Sequence, residues 1–214
     1  MRPEQIETAL RARLQGRWLL DHPFYRRWTA GEVSVDELRA YAAQYRHFEA
    51  MVPSHLRAVA RTADHTPLRE QALRNLADEA GSTPTHLELF ERFASALGAP
   101  VQAQPSPAMT RLLETYRATT VAGAPAGFAA LLAYELQAPE VSASKAEGLR
   151  RHHVLDGDAL AFWDVHASLD TEHAAWALEA LAGSDADMAT VVDAAGTAAD
   201  AWWGFLDERD ALRA

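Results

Sequence analysis

The chain contains no cysteine. Disulfide bridges, zinc–thiolate sites, iron–sulfur clusters and cysteine nucleophiles are therefore excluded. Lysine is nearly absent: of 20 basic residues 19 are arginine, and the one lysine is Lys145. Glycine (11) and proline (10) are too sparse for a disordered or fibrous chain. The alternating Val, Ile and Thr runs that mark strands are missing. The most apolar stretch, Gly127 to Leu136, is far shorter than the roughly 20 residues that cross a bilayer. The N-terminal segment runs straight into an amphipathic pattern, without the apolar region and small-residue cleavage site of a leader. A soluble, cytoplasmic protein that does not engage membranes is expected. The formal charge of −10 argues against a nucleic-acid surface.

What is abundant is alanine, 45 of 214 residues, the strongest helix former. The helical period runs nearly throughout. It predicts helices over about 3–17, 34–63, 67–80, 84–97, 107–119, 124–137, a stretch holding Lys145, 156–182 and 185–211. Ser34-Val35-Asp36-Glu37 is a capping box. Pro53 falls inside the helix that follows it. Asp21-His22-Pro23-Phe24-Tyr25 reads as a loop, with a second break at Ala30-Gly31. Gly81-Ser82-Thr83-Pro84 separates two helices. No repeat or long linker divides the chain. The fold expected over 1–214 is a single all-α bundle of about seven to nine helices.

Three local patterns carry chemistry. In His166-Ala-Ser-Leu-Asp170-Thr-Glu-His173, spacings of four and then three place imidazole, carboxylate and imidazole on one helix stripe. That is a first-row metal arrangement, or else a polar helix face with incidental histidines. Glu79 precedes His86 across the Gly81–Pro84 break; taken alone, the pair reads as surface residues. Glu135 lies in the apolar run Ala-Leu-Leu-Ala-Tyr-Glu-Leu-Gln, where a carboxylate is costly unless paired or ligated. Together these are three carboxylates and three imidazoles, enough for two metal ions with open positions. Oxygen and nitrogen donors favour iron or manganese. The Glu-x-x-His pairs of ferritin-like di-iron proteins are absent, as is His-Glu-x-x-His.

The order Glu, six residues, His, then a lone Glu, then His-x-x-x-Asp-x-x-His resembles the haem-oxygenase-like di-metal oxidases. These share a fold with haem oxygenase, thiaminase II and pyrroloquinoline quinone synthase. The resemblance spans about 20–180 and implies Glu79, His86, Glu135, His166, Asp170 and His173 as ligands of two Fe ions or a Mn/Fe pair. Within that family the chain is most similar to the group of the Chlamydia protein associating with death domains and its bacterial relatives. That group makes 4-aminobenzoate, a folate precursor, by consuming its own side chains. The resemblance implies Tyr25 of His22-Pro23-Phe24-Tyr25 as the sacrificial ring, Tyr41 as a second tyrosine position, and Lys145 as nitrogen donor. It also implies dioxygen as co-substrate, a small-molecule reductant and a homodimer. The same ligand set permits a di-metal oxidase acting on an external amine, amino acid or fatty acid. A non-enzymatic partner-binding role finds no docking helix or large exposed apolar stripe in this sequence.

Overall fold

The computed structural model describes residues 1–153, 155–168 and 171–213, with the side chains of residues 171–173 outside that set. Capping chemistry sets most of the helix boundaries. Pro3 opens α1 (Pro3–Leu14), where its missing N–H costs nothing. In α2 (Pro23–Ala30) the N-cap is His22, whose ring accepts from the Phe24 amide; Gly31, at φ 75°, closes the helix in the left-handed region. This segment corrects the sequence expectation, which read a loop here. Ser34 and Glu37 form the expected capping box at the head of α3 (Val35–Thr62), which runs through Pro53. Then follow α4 (Thr66–Ala80) and α5 (His86–Leu97), capped by Thr85 and Glu88. Ser106 caps α6 (Pro107–Ala122). Next come α7 (Ala124–Glu135) and α8 (Ala138–His153).

The expected helix 156–182 is two segments, α9 (Ala161–Ala167) and α10 (Thr171–Ala182), preceded by a 3-10 turn at Gly157–Ala159. The last helix is α11 (Met188–Asp210), capped by Asp187. A second 3-10 turn spans Leu19–Asp21. Among the described residues there is no strand, and no helix is long and apolar enough to cross a membrane. The all-α bundle expected from the sequence is the fold observed.

The long helix α3 packs against α4, α5, α6 and α7, while α11 lies along α6 and α7. Two cores result. One is aromatic, with Phe24, Tyr41, Tyr45, Phe48, Trp163 and Trp202 among its members. The other is built of alanine, leucine and valine beneath α1, α4, α7, α10 and α11. Each large side chain so buried contributes about 1.5–3 kcal/mol. Against this stand Glu49, His86, His166 and Lys145, all at most 7% exposed. Buried ionisable groups are costly unless they find partners, so their positions mark the part of the core that is not built for stability.

Candidate metal centre

The helix face Gln71, Asn75, Glu79 repeats every four residues along α4 and points inward as a polar stripe. Gln71 Nε2 donates to Asn75 Oδ1 at 2.8 Å, and Asn75 Nδ2 donates to Glu135 Oε1 at 3.1 Å. Glu79 comes one turn later. Its Oε2 accepts from His86 Nδ1 at 3.0 Å. His86 opens α5, where the Thr85 cap fixes the helix start. His166 on α9 donates from Nδ1 to the Phe162 carbonyl at 2.8 Å. This assignment leaves Nε2 with its lone pair, the state a metal ligand needs. The two imidazole rings stand 4.6 Å apart.

Glu49 on α3 completes the group. One ligand atom from each of Glu49, Glu79, His86 and His166 lies within 4.8 Å of the others. Burial pushes the Glu49 carboxyl well above the usual range, and the adjacent Glu79, which shares a hydrogen bond with it, pushes the same way. The buried Glu49 carboxyl against a second carboxyl group therefore favours the protonated form when no cation is present. Burial raises Glu135 to about 7, and Glu79 adds to the shift while the Asn75 hydrogen bond opposes it. Burial lowers His166 to about 4 despite the pull of Glu79, so it is neutral at physiological pH. Two imidazoles and two carboxyl groups whose ligand atoms converge so closely are a donor set for a divalent ion. Nitrogen and oxygen donors without sulfur suit iron or manganese.

Behind this cluster lies a tyrosine–lysine compartment. Tyr25 and Tyr41 share a hydrogen bond between hydroxyls at 2.8 Å. Lys145 Nζ donates to Tyr41 Oη at 2.7 Å. It sits 4.5 Å from the Tyr25 ring centre and 4.3 Å from that of Trp163. The aromatic faces favour an ammonium, but burial prevails and pushes Lys145 well below the usual lysine range, with Glu49 opposing. Burial raises Tyr25 and Tyr41, so both are phenols. Packing holds the amine in place. A Cβ at Gly148 would meet the Trp28 ring at 2.9 Å, so only glycine lets Trp28 approach α8, where its Nε1 donates to the Lys145 carbonyl at 3.3 Å.

The two parts meet at Tyr45. Its ring stacks on Tyr41 at 5.5 Å between centroids, and its hydroxyl bonds that of Tyr134 at 2.6 Å. A cavity of about 450 Å³ opens beside the pair, with Glu49, Glu79, His86, Glu135 and His166 on its polar wall. Tyr45, Phe48, Val52, Leu131 and Tyr134 form its apolar wall.

Of the residues expected from the sequence, Glu79, His86 and His166 converge. Glu135 faces the same cavity from the end of α7, held by Asn75, but is not part of the tight four-residue group. Asp170 and the side chain of His173 lie outside the described residues. Tyr25, Tyr41 and Lys145 share one compartment. Sequence reasoning missed Glu49, although it stands on the stripe Tyr41, Tyr45, Glu49 of α3, a carboxylate at helical spacing among buried aromatics. His55 is buried away from this group, with Nε2 2.8 Å from the Gly127 carbonyl oxygen. Trp202 packs on Tyr134 at 4.9 Å between ring centroids.

A buried carboxylate–imidazole cluster able to bind metal, set in an all-α bundle beside oxidisable phenols, defines a metal-dependent redox enzyme. The chain belongs to the family of iron-containing redox enzymes, whose profile matches residues 39–203. The 4-aminobenzoate synthase of Nitrosomonas europaea is 37% identical over 213 residues, covering 91% of this chain and 86% of that protein. The 4-aminobenzoate synthase of Chlamydia muridarum is 32% identical over 207 residues, covering 92% and 87%. In fold, the chain is similar to the crystal structure of a CADD-like protein of unknown function from Nostoc punctiforme. The TM-score is 0.79 at 19% identity, over 96% of this chain and 97% of that one.

Proposed function

We propose that this chain forms 4-aminobenzoate from its own side chains, with Tyr25 supplying the ring and Lys145 the nitrogen, in a metal- and dioxygen-dependent oxidation. One observation carries the reading. The only lysine of the sequence is buried with its Nζ 4.5 Å from the Tyr25 ring centre and on Tyr41 Oη. The names of the relatives support the product.

The residues divide the work. Donation to Tyr41 uses one N–H of a neutral amine and leaves its lone pair free, as an attacking nitrogen requires. The aromatic walls exclude water that would compete with the amine for an oxidised ring. The Tyr25–Tyr41 hydrogen bond gives the phenolic proton a place to go when the ring is oxidised. Glu49, a member of the cluster, is the carboxyl group that acts on Lys145 from that side. The proposed ligands are Glu79, His86, Glu135, His166, Asp170 and His173. Two Fe ions or a Mn/Fe pair held by them would supply activation of dioxygen, with electrons from a small-molecule reductant. We propose a homodimeric, cytoplasmic enzyme as the working form.

The test is loading with metal under anaerobic conditions, exposure to oxygen, and mass spectrometry of protein and released small molecules. With nitrogen-15 confined to lysine, labelled 4-aminobenzoate and a chain that has lost the Tyr25 side chain are expected. An unlabelled product, or none, overturns the self-sacrificing reading. The cavity favours a second reading, an oxidase of the same centre acting on an external amine, amino acid or fatty acid. Turnover of an added substrate with Tyr25 intact would establish it.

A further inference from the structure

A product cut from Tyr25 begins inside a sealed compartment. Tyr25, Tyr41 and Lys145 are each at most 1% exposed, and none of the three lines the cavity. Tyr45 stands between. On one side its ring stacks on Tyr41 and lies 5.1 Å from Lys145 Nζ. The same residue lines the cavity, and so does Tyr134, to which its hydroxyl is bonded. We infer that the cavity is the exit route for the aromatic acid and that the Tyr45–Tyr134 pair is its door. The inference rests on the function proposed above and adds to it where the product goes.

The geometry suits a door. What separates compartment and cavity here is two side chains joined by one hydrogen bond, so the passage opens when these two rings turn together with the aromatic neighbours packed on them. The walls beyond suit a small planar aromatic: Phe48, Val52, Leu131 and Leu178 line the cavity, whose volume falls in the roughly 300–1,000 Å³ range of small-molecule sites. The rim does not suit retention of a carboxylate. Arg11 lies there with Glu7, Asp78 and Glu140, and Arg11 is already paired with Glu7 at 2.8 Å. An anionic product therefore meets more negative than positive charge on its way out and is not held.

The test separates formation from release. Ala175 on α10 and Glu140 on α8 are exposed residues that line the cavity from different helices. Ala175→Trp and Glu140→Trp would narrow its mouth without touching Tyr25, Lys145 or the proposed ligands. Each protein is loaded with metal, its metal content is measured, and it is exposed to oxygen. Total product is read after acid quench, and free product by rapid filtration of the native protein. The expected result is unchanged total product, with release slowed by about tenfold or more in the variants. Product formed in full and released from both variants as fast as from wild type overturns the exit route alone. No product from quenched wild-type protein overturns the function on which the inference rests, and the exit route with it.

Discussion

Lysine-to-arginine is the mildest change of charge, and at position 145 it should be the most damaging to chemistry. Burial favours the neutral amine of Lys145, whereas an arginine stays protonated and has no lone pair to give. Lys145→Arg is expected to retain metal and make no 4-aminobenzoate by mass spectrometry. Tyr25→Phe should fail likewise, and Tyr41 becomes the ring donor if it does not. An active Lys145→Arg protein would leave the external-substrate oxidase as the better reading. Lys145 was legible because it was rare: one lysine among 19 arginines has a position that needs a reason. Glu49 was not, because its partner Glu79 lies on another helix, and its neighbours Phe48 and Val52 give it the look of an ordinary core stripe.

The residue scale also fixes a pH dependence. Without metal, Glu135 holds its proton up to about pH 7, whereas the unfolded chain gives it up near 4.5. Its contribution to stability is thus complete below about 4.5 and is lost as pH rises through 7. Glu135→Gln cannot ionise. Relative to wild type it should gain up to about 3 kcal/mol between pH 4.5 and 8, measured by urea unfolding of the metal-free proteins. His166, lowered to about 4, works in the opposite sense: its contribution is present above about 6.5 and lost as pH falls toward 4. Comparing variant with wild type cancels that second effect. A stability difference that does not change with pH would show that Glu135 is ionised in the fold.

At the scale of elements, the segment between α4 and α5 joins two proposed ligands that share no rigid frame. Glu79 sits at the end of α4 and His86 at the start of α5, with their side chains linked by one hydrogen bond. A metal held by both would tie the helix ends together, since binding free energy becomes ordering free energy. Amide protection over 76–90 should therefore rise on addition of Mn(II) or Fe(II) under anaerobic conditions, by hydrogen exchange. Equal protection with and without metal would mean that the pair does not ligate. The break itself was readable from Gly81 and Pro84. The helix α2 was not, because its cap is unusual. The familiar N-caps are Ser, Thr, Asp and Asn, whereas here the His22 ring takes the Phe24 amide at 3.1 Å. The other ring nitrogen, Nε2, lies 3.1 Å from Asp207 Oδ1 on α11. A histidine before a proline reads locally as a turn. Only the contact with a helix near the other end of the chain makes it a helix start.

At the scale of the whole molecule, the proposed chemistry makes the protein a reagent that is used once, and stability records its use. The Tyr25 ring is part of the core. It is 1% exposed and packs edge-on against Trp28 and Tyr41, with Lys145 over its face. Cutting it away leaves a void in the most aromatic part of the bundle, and the loss of the Lys145 nitrogen removes the hydrogen bond to Tyr41. Deleting a large buried aromatic costs about 3–5 kcal/mol, because surrounding helices relax only in part. For a chain of 150–250 residues each kcal/mol moves Tm by about 2–4 °C. After one round of metal, oxygen and reductant, and after removal of the metal, spent chains should melt roughly 10 °C below unreacted ones, close to Tyr25→Gly, because the product's carboxyl carbon takes Cβ with it. The fraction of chains in the lower transition should equal the yield of 4-aminobenzoate per chain, which should not pass one. A yield above one, with a single unshifted transition, would show that the ring comes from outside the chain.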